Sequence, residues 1–175
     1  MATVNLAPSS TVSNDWDVPS GTAHGNLSDS DDATVIRTNV QNDECIVQIL
    51  NHSFGHGEVI TSVRHYIRGF KHNARSGDTE VQVILENSGG TTLYSDNHQL
   101  LFNGYVPQDF YGTARTTSDG SNPWSQSDIT GLRLNINTSP EDPPSFSYAA
   151  VVKAYVEVTY TVAVTDNAIF FGTNF

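Results

Sequence analysis

Val152-Lys153-Ala154-Tyr155-Val156-Glu157-Val158-Thr159-Tyr160-Thr161-Val162-Ala163-Val164 repeats with a period of two. Val152, Ala154, Val156, Val158, Tyr160, Val162 and Val164 share one face, and Lys153, Tyr155, Glu157, Thr159 and Thr161 share the other. That alternation is the signature of a β-strand with one side on a core. Extended from Tyr148 to Val164, at ~3.3 Å per residue, the strand is about 55 Å long, well past the usual length of roughly 3–10 residues. A bend or bulge is therefore expected inside it.

Working outward, Thr79–Glu86 places Val81, Val83 and Leu85 on one side and Glu80, Gln82, Ile84 and Glu86 on the other. Further runs rich in β-branched and aromatic residues cover 34–40, 45–50, 59–70, 91–94, 99–102, 110–116 and 132–137. Asn87-Ser88-Gly89-Gly90, Ser118 to Pro123 and Ser139 to Pro144 separate them with turn chemistry. Helical periodicity is hard to find. The fold class expected is all-β: a single jelly-roll-type antiparallel β-sandwich of about eight strands. Three segments follow, namely an extended N-terminal arm over 1–32, the sandwich over 33–164, and an aromatic C-terminal tail over 165–175. The tail carries Ile169, Phe170, Phe171 and Phe175, and leaving a phenylalanine in water forfeits roughly 2 kcal/mol, so packing against the sandwich or another chain is expected.

With 175 residues, 37% of them apolar, the chain has material for one well-filled core. Nineteen acidic against 8 basic residues give a net charge of -11, and the basic residues form no stripe. Phosphate backbones need clustered lysine and arginine, so a nucleic-acid partner is disfavoured, and an anionic membrane surface with it. No apolar run approaches the ~20 residues of a membrane span, and Met1–Asn5 lacks the basic head of an export signal, so neither anchor nor Sec export is expected. Cys45, the single cysteine, lies in the apolar run Glu44–Leu50 and reads as a buried thiol.

Candidate chemistry is thin. His52, His56 and Glu58 are potential zinc donors, but they sit in a glycine-containing loop without the helical spacing of a metalloprotease. His65 reads as a sheet residue. Asp29, Asp31 and Asp32 offer oxygen ligands of the kind calcium takes, without EF-hand spacing. No nucleophile elbow and no phosphate loop is present, and neither a catalytic residue nor a cofactor is expected. Trp16, Trp124, Tyr94, Tyr105, Tyr111 and Phe110 lie in or beside loops, where they serve either as plugs for the ends of the core or as rings on which a sugar stacks. Plugging is the favoured reading. The sequons at Asn26, Asn51 and Asn137 carry no glycan without export.

Trp16-Asp17-Val18-Pro19, Asp31–Ile36, Ile60–Arg68, Pro123-Trp124-Ser125, Asp128–Leu134 and Val156–Tyr160 fall in an order and spacing that resembles jelly-roll structural proteins of tailed bacteriophages, such as capsid decoration or cement proteins and head or tail appendages. The resemblance implies a non-enzymatic virion component on the outer capsid surface, made in a bacterial cytoplasm, trimeric with itself and bound to the major capsid protein. As apolar anchors for such a role the arm supplies Val4, Leu6, Val12, Trp16 and Val18, and the tail supplies Ile169, Phe170, Phe171 and Phe175. The alternative is a carbohydrate-binding module of a phage tail or head appendage, recognisable by an exposed aromatic pair with polar neighbours. A sandwich glycoside hydrolase ranks third, because it requires two converging carboxylates, one with a raised pKa.

Overall fold

The computed structural model describes residues 1–71, 79–101, 105–138 and 148–162. Among them are ten strands: β1 Ala2–Leu6, β2 Pro8–Asn14, β3 Ile36–Thr38, β4 Glu44–Ile49, β5 Val59–Lys71, β6 Thr79–Glu86, β7 Thr92–Leu100, β8 Gln108–Tyr111, β9 Arg133–Thr138 and β10 Ala149–Thr161. They form two antiparallel sheets that face each other as a sandwich. One runs β1-β10-β5-β8, with β3 paired to the start of β10, and the other runs β2-β4-β9-β6-β7. Two short helices, α1 Ala23–Ser28 and α2 Gln126–Ile129, interrupt the loops.

The core lies between the sheets. Val81, Val83 and Leu85 of β6 face it as their alternation requires, opposite Val63 and Ile67 of β5 and Ala154, Val156 and Val158 of β10. Cys45 is fully buried there, and desolvation, reinforced by Asp15 and Glu44, pushes its thiol up to about 12. The irregularity expected in the long strand is present: β10 slips register against β5 between Val151 and Lys153 and again between Thr159 and Tyr160. The first slip corrects the face assignment of Val152. Ala149 and Val151 join the main core with Ala154, whereas Ala150 and Val152 turn outward to a small cluster with Phe70. A bulge adds one residue, so the alternation changes phase across it. Gly69 sits opposite Val151, where a Cβ would stand 2.7 Å from the Ala150 carbonyl oxygen.

The arm expected over 1–32 is instead part of the sandwich. β1 pairs with β10 in one sheet and β2 with β4 in the other, so the chain changes sheets at Ala7. β2 reads Pro-Ser-Ser-Thr-Val-Ser-Asn with register shifts at two points, which destroys the apolar alternation that marks a strand in sequence. α1 follows, capped by the Thr22 hydroxyl, which accepts from the Gly25 N–H. Of the runs read at 91–94 and 99–102, residues 92–94 and 99–100 belong to one edge strand, β7, in whose polar middle Asp96 accepts from Thr113 and Arg115 and Asn97 donates to Glu80. The tail over 165–175 lies outside the described residues.

Candidate functional site

Consecutive residues of β5 point to opposite sides of its sheet. Val63, His65 and Ile67 go inward, leaving Arg64, Tyr66 and Arg68 on the outer face. Register then supplies their neighbours. Tyr66 stands between Tyr111 of β8 and Tyr155 of β10, Arg68 between Asp109 and Lys153, and Arg64 opposite Glu157.

The result is a row of three tyrosines across three strands. The Tyr66 and Tyr155 rings stack, with centroids 4.2 Å apart and planes 17° from parallel, and the Tyr66 and Tyr111 rings meet at 5.0 Å and 59°. The Arg64 guanidinium lies 4.6 Å from the centre of the Tyr111 ring and donates from Nε to Glu157 Oε1 at 2.7 Å. On the other side of the row, Arg68 binds Asp32 with two parallel hydrogen bonds of 2.9 and 2.8 Å and donates to Asp109 Oδ1 at 2.7 Å. The Tyr66 hydroxyl donates to that same Asp109 oxygen at 2.7 Å. Lys153 Nζ reaches Ser30 Oγ at 3.2 Å. Tyr66 is buried by its neighbours, Tyr155 is half-buried, and Tyr111 is 48% exposed.

Electrostatics hold this arrangement in one protonation state. The bond to Arg68 keeps Asp32 and Asp109 below the usual carboxylate range, Tyr66 adding to the effect at Asp109. Burial, and then the bond to Asp109, raises the Tyr66 phenol, and burial, with a bond to Tyr111, pushes Tyr155 up to about 12. At neutral pH the face therefore carries phenol hydroxyls, carboxylates and guanidinium groups with fixed directions. Flat rings beside planar donors and acceptors suit a ligand with C–H faces and hydroxyl edges.

Two other places invite attention. A cleft of about 510 Å³ opens between the end of β2 and the β3–β4 turn, lined by Asp15, Asp17, Arg37, Asn39, Asp43 and Tyr148. Arg37 is held there by Asp17 at 3.1 Å, and Asp43 accepts from the Thr38 hydroxyl at 2.5 Å. Between the sheets, His65 and His98 of β7 bring their Nε2 atoms to 2.7 Å. Asp96 lies 3.9 Å from the far nitrogen of His65 and is itself bonded by Thr113 and Arg115.

Of the residues singled out in the sequence, Leu6 and Trp16 are core side chains and are not available to another chain; Trp16 donates from Nε1 to the Asp43 carbonyl at 3.1 Å. Val4 and Val18 pack against the core, and Val12, 45% exposed, is the open member of the set. Ile169, Phe170, Phe171 and Phe175 lie outside the described residues. Trp124 plugs the core and donates to the Arg115 carbonyl at 2.8 Å, Phe110 packs against the core, and the Tyr94 hydroxyl donates to the Thr117 carbonyl at 2.5 Å. Tyr105 and Tyr111 stay exposed. His52 packs edge-on against Phe54, and the Glu58 carboxylate accepts from the Gly55 N–H, so this loop uses its own polar groups. Asp29 and Asp31 close the turn before β3, while Asp32 goes to Arg68. Tyr66, Tyr155, Arg64 and Arg68 were not among the candidates. Their placement on the polar side of two strands is visible in the alternation, but their meeting depends on register.

No protein-family model and no curated protein matches this chain. Among solved structures, the arabinose-bound α-L-arabinofuranosidase MgGH51 aligns with 85% of this chain and 23% of its own, at 11% identity and a TM-score of 0.44. The chain thus corresponds to less than a quarter of that enzyme. The CBM32 of AlyQ, in complex with 4,5-unsaturated mannuronic acid, aligns over 85% of this chain and 98% of its own, at 9% identity and a TM-score of 0.39. Both scores lie below 0.5, and the assignment as a β-sandwich rests on the two sheets themselves.

Proposed function

We propose that the protein is a non-catalytic glycan-binding β-sandwich whose binding face is the outer side of β8-β5-β10. One observation carries the reading: the half-exposed Tyr111 and Tyr155, joined through Tyr66, stand between the Arg64–Glu157 pair and the Arg68–Asp32–Asp109 group. A pyranose has an apolar face that stacks on a ring and hydroxyls that bond to planar charged groups at its rim. The same groups speak against hydrolysis at this face. A glycosidase acid needs a carboxyl with a raised pKa, whereas Arg68 holds Asp32 and Asp109 below the ordinary range.

A glycan array probed with the full chain, with Tyr111→Ala and with Tyr155→Ala tests the reading. The parent is expected to bind a defined subset of glycans, and each substitution to weaken that binding by about fivefold or more, since a lost ring contact is worth about 1 kcal/mol. Undiminished binding by both folded variants overturns this face as the site.

The second reading is the virion decoration role implied by the phage resemblance, as a trimer bound to the major capsid protein. Its support is the exposed apolar side chains of Val12 on β2 and of Leu101, Tyr105 and Val106 between β7 and β8. Light scattering that finds a monomer, together with unchanged capsid occupancy by Val12→Asp, removes that support.

A further inference from the structure

The tyrosine face contains three cations, Arg64, Arg68 and Lys153, and three anions, Asp32, Asp109 and Glu157. Each guanidinium already has a carboxylate partner at 2.7–2.8 Å, and Lys153 lies close enough to Asp32 and Asp109 to act on both. The charges within this group cancel, although the chain as a whole carries -11. An incoming carboxylate or sulfate meets no unpaired guanidinium here, and to bind Arg64 or Arg68 it has to displace a partner that is already bonded. It also approaches a strongly negative molecule, which repels it over a Debye length of about 10 Å at moderate salt. A neutral sugar escapes both costs. Its hydroxyls use the remaining lone pairs of the three carboxylates as acceptors, and its C–H face uses the rings.

Resting on the glycan-binding reading above, we infer that this face selects neutral glycans and discriminates against uronate and sulfated ones. The paired charges act as fixed hydrogen-bonding groups, and the selectivity arises because both guanidinium groups are already paired and Lys153, bonded to Ser30 Oγ, is balanced by the second carboxylate that Arg68 holds, which leaves the group no net positive charge.

Calorimetric titration of the full chain at low and high salt tests this, with matched sets of neutral oligohexoses, oligouronates and sulfated oligosaccharides as probes. The expected result is binding of a neutral member that changes by less than about twofold with salt, and binding of its acidic counterparts at least about tenfold weaker at low salt. Glu157→Gln leaves Arg64 without its carboxylate and gives the group one net positive charge. It is expected to raise the ratio of uronate to neutral affinity by about threefold, in keeping with the worth of a partly exposed charge pair. Should that variant fail to fold, Asp109→Asn gives the group the same net positive charge and frees one Arg68 donor while Asp32 keeps its two bonds. An acidic glycan that binds more tightly than its neutral match, and loses affinity as salt rises, overturns the inference while leaving the glycan reading standing. Binding of no probe in any of the three sets overturns both.

Discussion

The inner and outer faces of β5 differ by a single step along the chain, yet they put ionisable groups to opposite uses. His65, facing in, loses its charge: burial, aided by the neighbouring His98 and opposed by Asp96, lowers it from 6.5 to about 4. Arg68 and Tyr66, facing out, meet carboxylates that hold one charged and the other a hydrogen-bond donor. Inside, an uncompensated charge is expelled by desolvation. Outside, where water still reaches the carboxylates, paired charges persist. The same strand therefore contributes stability on one side and, in the proposed reading, the glycan-binding face on the other.

The strongest way to break this division is to cut the inner face. Ile67 is fully buried, and Ile67→Ala is expected to lower stability by about 3–4 kcal/mol, with the affinity of the remaining folded protein for glycan unchanged. Urea unfolding and calorimetric titration measure the two halves, and a loss of affinity in step with stability contradicts the separation.

Acid is next. The unfolded His65 takes a proton near pH 6.5 and the folded one only near pH 4, so the unfolded state binds more protons between those values. Stability is thus expected to be full above pH 6.5, to fall by about 2–3 kcal/mol as pH drops toward 4, and to lose this dependence below. His98 is lowered by burial as well and adds in the same direction, while Asp96 and Arg115 are the charged groups that face the pair. With His98 as the donor between the two Nε2 atoms, His65 turns its Nδ1–H toward Asp96. The slope of the urea midpoint against pH is expected to flatten in His65→Gln; an unchanged slope assigns the acid response elsewhere.

Gly112 sharpens the comparison from the edge of the sheet. A Cβ there collides with the His65 imidazole, so Gly112→Ala is expected to cost about 1–2 kcal/mol through displacement of that ring. A melting temperature equal to the parent's means that the pair relocates freely. The smallest effects on stability belong to the outer face. Tyr111→Ala is expected to change unfolding by less than about 1 kcal/mol, and Arg64→Lys by about 0.5 kcal/mol or less, because both groups retain contact with water. Their glycan affinities are the discriminating readout, and a large loss of stability in either variant blurs the two faces.

Much of the scaffold was legible because burial imposes period two. β6 and most of β10 show their core faces in the chain, as does the buried Cys45 in β4. β1 and β2 were not legible, since a polar, twice-shifted strand lacks that period and was read as an arm. The phase change at Val151–Val152 was equally hidden: four consecutive small apolar residues, Ala149 to Val152, are compatible with either phase until pairing to β5 selects one. At the candidate site, the exposed Tyr111 was marked by its loop position, but Tyr66 and Tyr155 looked like ordinary strand residues.

Composition and alternation by themselves determined an acidic all-β chain with a buried thiol and apolar strand faces, because the cost of wetting apolar side chains acts at every position independently. The tyrosine row, its paired arginines and the His65–His98 contact were decided by the tertiary structure alone. Positions 66, 111 and 155 become neighbours through strand order and register, and 65 and 98 through the approach of two sheets. Those distances are properties of the closed sandwich, which no local pattern in the chain encodes.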